Sequence, residues 1–192
     1  LGFYHYEYYE DRSGTWNTYR STGWYIDDIE IVAKVPEFDG SFESGWENWG
    51  ASNGVWQIGT PTSGPGSCFS GTQCAGTILE DTILEGNYPA YTDSRLVSAT
   101  MTLPTVTGLE ELHLRFQHWF SYSSADSGQV QIQVWDAAAD AWGAWENVGK
   151  TVVDNSGWTL KDVDLTVYAG QTVRLGFYHY EYYEDRSGTW NT

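Results

Sequence analysis

The chain has 192 residues, with nine Lys and Arg against 26 Asp and Glu, for a formal net charge of −17. Such an acidic surface repels phosphate backbones, which excludes nucleic acid as a partner, and it attracts cations, calcium above all. Hydrophobic residues make up 41%, but no run reaches the ~18 apolar residues of a membrane-spanning helix, so no membrane insertion is expected.

Residues 1–18 read LGFYHYEYYEDRSGTWNT, and residues 175–192 repeat them letter for letter, 174 positions on. Self-similarity at a fixed period marks a repeat array. The period is far longer than that of a solenoid, so each unit is expected to be a whole domain and the chain a window on a tandem series. In the first copy Tyr4, Tyr6 and Tyr8 alternate with Phe3, His5 and Glu7, the period-two pattern of a strand. A polar loop follows from Asp11 to Thr22. Trp24 to Val32, WYIDDIEIV, is a second strand with Tyr25, Asp27, Ile29 and Ile31 on one face. An Asp among apolar neighbours needs a partner. Val35-Pro36-Glu37 is punctuation, and the unit boundary is placed there. Residues 1–34 are then expected to close one unit. Residues 38–192 form the next, without a closing strand of its own in this window.

Past the boundary, FDGSFESGWENWG leads into loops and short strands, Trp56 to Gly59 and Thr77 to Leu84 among them. Cys68 and Cys74 lie six apart in CFSGTQC with Gly71 between them. That spacing suits a loop-closing disulfide and an oxidising compartment, and two Cys are too few for a zinc site. Arg95 to Leu103 alternates and ends at Pro104, and Leu112, Leu114, Phe116, His118 and Phe120 share one face of a long strand. Next, Val130, Ile132 and Val134 face one way and Gln129, Gln131 and Gln133 the other. The glutamine face suits sugar hydroxyls, and solvent exposure explains it as well. Asp136 to Gly143 reads as a hairpin connection, and Trp158 to Leu165 and Thr172 to Tyr183 as the last strands. Many short strands between turns, with no amphipathic helix, indicate an all-β sandwich.

No HExxH, GxSxG or Walker loop occurs, so no enzyme is expected. His113 and His118, five apart on a strand, point to opposite faces, and His118 is expected to pack within the sandwich. Tyr4, Tyr6 and Tyr8, with Trp119, offer a packing or ligand face: a sugar-stacking platform, or core and cross-strand packing.

The order FESGW, GNY, SRLVS, LRFQHWF, DSGQVQIQV, SGWTLKDVDL, YAGQTVRLGF and GWYIDDIEI resembles the MAM-like jelly-roll modules of secreted bacterial proteins, including those that follow immune inhibitor A-type metalloproteases. In such modules FESG opens and GWYIDDIEI closes, whereas here the closing motif comes first, so the window is circularly permuted. The resemblance implies a two-sheet antiparallel jelly-roll β-sandwich. It also implies a structural calcium ion held by Glu43 and Asp27, with Asp28 a further candidate.

The function expected is that of a structural repeat unit in an extracellular stalk, fibre or filament at a cell surface, its partners being copies of itself. The rivals are a calcium-dependent carbohydrate-binding module, with polysaccharide as partner, and an accessory domain of a secreted hydrolase.

Overall fold

The computed structural model describes residues 38–77, 79, 92–121, 127–152 and 157–180. The first copy of the repeated segment, the WYIDDIEIV strand and the boundary at 35–37 lie outside the described residues.

All regular structure in the described residues is antiparallel β, apart from one 3₁₀ turn at Thr166–Tyr168. The strands are β1 (Gly50–Ala51), β2 (Gln57–Gly59), β3 (Cys74–Gly76), β4 (Asp93–Val97), β5 (Met101–Thr102) and β6 (His113–His118). They continue with β7 (Ser127–Asp136), β8 (Ala141–Trp142), β9 (Glu146–Asn147), β10 (Thr159–Asp164) and β11 (Thr172–Tyr180). The larger sheet runs β1-β4-β11-β7-β8, with β5 also on β11 and β9 also on β7. β10 pairs with β6, and β2 with β3, as separate ladders.

The alternation written in the strands sets the core. Val130 and Ile132 of β7, Val173 and Leu175 of β11, Leu114 of β6 and Val163 of β10 form one buried cluster, so the larger sheet and the β6–β10 pair share a single core. Each such side chain, fully buried, stabilises the fold by ~1.5–3 kcal/mol. The expected hairpin at Asp136 is present, with Trp135 opposite Trp142 and Asp136 opposite Ala141.

Two expectations are corrected. Arg95 to Leu103 is not one strand: β4 and β5 are separated at residues 98–100. The cause is Ser98, whose N–H donates to Leu175 O and whose hydroxyl accepts the Leu175 N–H, both at 2.9 Å. A side-chain oxygen there replaces a carbonyl of the ladder, and the strand is interrupted as at a bulge.

The second correction concerns the glutamines. Gln129, Gln131 and Gln133 point away from the core as expected, yet they are 9%, 7% and 8% exposed and are not a solvent face. The strip from Gly143 to Thr151 covers them. Gln129 Nε2 donates to Val148 O at 2.9 Å, and Gln131 Nε2 donates to Asn147 Oδ1 at 2.8 Å. Gln133 donates to Gly143 O, and the Thr151 hydroxyl donates to Gln129 Oε1 at 3.1 Å. Buried amides are tolerable because each is paired.

Candidate functional site

A cleft of 450 Å³ lies between the strand residues Leu114–Trp119 and the segments carrying Phe42, Trp56 and the Cys68–Cys74 loop. Its floor is a run of rings. Phe42 sits 5.1 Å from Trp49, Trp49 6.1 Å from Phe177, and Phe177 5.0 Å from Phe116 in an edge-to-face pair. The Trp49 indole also donates to Asp39 O at 2.6 Å, which closes the loop at residues 39–49 on itself, while its ring meets Phe177 of β11. Trp119 lines this cleft, beside Gly64, where an added Cβ would lie 3.0 Å from its ring.

The cysteines are joined: Cys68 and Cys74 form a disulfide with their Cα atoms 5.7 Å apart. The loop it closes holds Glu43. The Glu43 carboxylate accepts the Gln73 N–H at 2.9 Å, the Thr72 N–H at 3.0 Å and the Thr72 hydroxyl at 2.9 Å. These bonds, the Gln73 N–H first, hold its carboxyl below the usual carboxylate range. Gly71 is required here, since its φ is +63° and a Cβ would collide with the carboxylate.

Glu43 is exposed, but each of its two carboxylate oxygens already accepts two of these contacts, the Thr72 N–H being shared between them. Its expected co-ligands, Asp27 and Asp28, lie outside the described residues. Among the described residues no three His, Cys, Asp or Glu side chains form a group that could hold a metal.

Tyr4, Tyr6 and Tyr8 also lie outside the described residues, but the second copy of their segment is visible as far as Tyr180. There Tyr178 and Tyr180 occupy the outer face of β11, 6.2 Å apart, while Leu175 and His179 are buried on the opposite face. Arg95 lies 4.3 Å over the Tyr178 ring and 5.7 Å from Trp145, and Arg174 lies 4.6 Å over Trp142 and 5.4 Å from Trp145. Each guanidinium also donates through Nε, at 2.6 Å, to Gln131 or Gln133. Here the tyrosine face belongs to a stack of arginine and aromatic side chains outside the core. Its partners come from residues 95, 142 and 145, which no local pattern in the tyrosine segment announces.

The histidines differ as their faces require. His113 contacts Asp162 Oδ1 at 2.6 Å through Nδ1 and Glu111 Oε2 at 3.1 Å through Nε2, and Arg115 pairs with the same Asp162. The bond to Asp162, then that to Glu111, pushes the imidazole above its ordinary value. Burial, then the Lys161 charge, pushes His118 below it. His118 packs 5.6 Å from Phe116 and 4.9 Å from Phe120. With both ring nitrogens of His113 on carboxylates, this cluster binds charge internally and presents no free nucleophile or base.

No family model matches the chain. No solved structure matches it either. Over 157 residues it is 30% identical to part of bacillopeptidase F of Bacillus subtilis. The aligned stretch is 78% of this chain but 10% of that protein, so the chain spans about a tenth of the length of the curated relative it matches.

Proposed function

We propose that the chain is a non-enzymatic structural repeat unit of an extracellular stalk, fibre or filament, built as a MAM-like two-sheet jelly roll and joined head to tail to copies of itself. One observation carries this reading. Residues 175–180, identical to residues 1–6, form the part of β11 that lies between β4 and β7 in the larger sheet. A sheet has one such slot, so an identical second segment belongs to a second unit of the same kind. Identical units present identical surfaces, and a head-to-tail contact between them propagates without closing.

The disulfide supports an extracellular location, and the similarity to a stretch of a peptidase adds to it. Within this reading Glu43, with Asp27 and Asp28, binds a structural calcium ion, whose six to eight oxygen ligands suit so acidic a chain. A carbohydrate-binding role loses support from the glutamine face, because those amides are buried and paired within the chain. The test is small-angle scattering of a protein carrying two full periods. A stiff rod is expected, and flexibly linked, separated beads would overturn the proposal.

A further inference from the structure

Arg174 stands on the outer face of β11 as a cation without a counter-charge. Its Nε donates to Gln133 Oε1 at 2.6 Å, and its guanidinium lies 4.6 Å over Trp142 and 5.4 Å from Trp145. Gln133 is itself fixed, being buried and donating through Nε2 to Gly143 O. A locked amide on Nε sets the plane of the guanidinium and leaves the Nη groups as its unused donors. The other two described arginines have carboxylates: Arg95 meets Asp93 at 3.8 Å, and Arg115 pairs with Asp162. Among the described residues no carboxylate pairs with Arg174, in a chain of net charge −17. Burial pushes the guanidinium below its ordinary value, but arginine is so basic that the group stays cationic at neutral pH. A partly desolvated cation among indoles and an amide costs free energy, which the cation–π contacts offset only in part.

An anion on the Nη edge would supply the missing charge. A carboxylate matches the guanidinium fork with two parallel N–H···O bonds. The chain's own charge of −17 repels multiply charged ligands at long range, which favours a ligand with one carboxylate over a polyanion. The body of that ligand is set by the neighbours. Trp135 packs edge-on 5.3 Å from Trp142, and Trp135, Trp142 and Trp145 all stay partly exposed. Partly exposed indoles beside the charge favour a flat ring.

We infer that Arg174, Trp142 and Trp145 form a binding site for a ring-bearing monocarboxylate, an aromatic acid or a uronate sugar, with the carboxylate on the Arg174 Nη groups and the ring against the indoles. The sheet holds each part in place. Gln133 lies opposite Arg174 across the β7–β11 ladder, and Trp135 lies opposite Trp142 in the β7–β8 hairpin. Groups carried on paired strands keep their geometry better than groups on loops. The site is complete within one copy of the chain and does not depend on the self-association proposed above.

The test is an NMR titration of the full chain, read at the indole N–H signals. Benzoate and methyl glucuronide are the probes, and benzamide and methyl glucoside are their neutral counterparts. Both carboxylates should shift the signals of Trp142 and Trp145 while leaving those of Trp56 and Trp158 in place. Each neutral counterpart should bind at least ~10-fold more weakly, the loss expected when a charge-assisted pair is removed. This arm needs no variant to fold. Arg174→Gln should weaken the carboxylates by a similar factor, with the unmoved Trp56 and Trp158 signals reporting an intact fold. Arg115→Gln, which removes the same charge elsewhere, should leave binding unchanged. Tighter binding of benzoate would assign the site to aromatic acids, and tighter binding of the glucuronide to a uronate sugar. Equal affinity for a carboxylate and its neutral counterpart would overturn the inference. So would carboxylate binding that survives Arg174→Gln, or indole signals of Trp142 and Trp145 that neither carboxylate moves, since the stack would then serve packing alone.

Discussion

Trp145 packs against Gly176 of β11 so closely that a Cβ on the glycine would lie 2.9 Å from its ring. The indole thereby reaches the guanidinium groups of Arg95 and Arg174, at 5.7 and 5.4 Å, and pins the strip that covers the buried glutamines. Replacing a strand glycine ordinarily helps a sheet. Here the ring leaves no room, and Gly176→Ala should destabilise the fold by ~1–3 kcal/mol. Urea denaturation checks this. Adding Trp145→Ala should make the second change smaller in that background, a coupling expected only of residues in contact.

The Cys68–Cys74 disulfide closes a short loop, so its loss should cost near the lower end of ~2–4 kcal/mol. The same loop presents the Thr72 and Gln73 N–H groups to Glu43. Reduction should therefore also raise the Glu43 carboxyl toward its ordinary value, visible in an NMR titration of that side chain. Two free thiols in intact, non-reduced protein would contradict the bond.

The two described histidines other than His179 should titrate in opposite directions from an ordinary imidazole. His113 is raised by Asp162 and Glu111, so its contribution to stability is fully present below an unfolded value of about 6.5. That contribution is lost as pH rises through the raised folded value. His113→Gln should accordingly lose most stability at mildly acidic pH and little in alkali. His118, lowered by burial, should remain neutral at a pH where His113 is still charged. A single coincident titration of the two rings by NMR would show this to be wrong.

If calcium binds at Glu43 with Asp27, it stabilises the folded state by mass action. Chelation should lower the melting temperature, readdition should restore it, and Asp27→Ala should remove the response. A melting temperature indifferent to stripping and reloading would remove the metal from the account.

What the sequence revealed follows from how local each feature is. The alternation of Val130, Ile132 and Val134 with Gln129, Gln131 and Gln133 placed β7 and its two faces correctly, because strand periodicity is local. It could not reveal that the glutamines are buried. Their cover is the Gly143–Thr151 strip, folded back through side-chain bonds such as Gln131 to Asn147. The cysteine spacing declared its own bridge. The break at Ser98 was hidden because its cause is Leu175, 77 residues away. The pairing of His113 with Asp162 is likewise a cross-strand relationship between β6 and β10, invisible until their register is known. The cleft beside β6 had no local signature either, since Trp56, Phe116 and Trp158 meet only in the fold.

Sedimentation velocity of the 192-residue chain over a range of concentrations tests most directly the claim that this is a self-associating unit. The account predicts a weight-average sedimentation coefficient that climbs with concentration, through a dimer to larger species that lengthen without closing. A single species of 21.6 kDa at every concentration would contradict it.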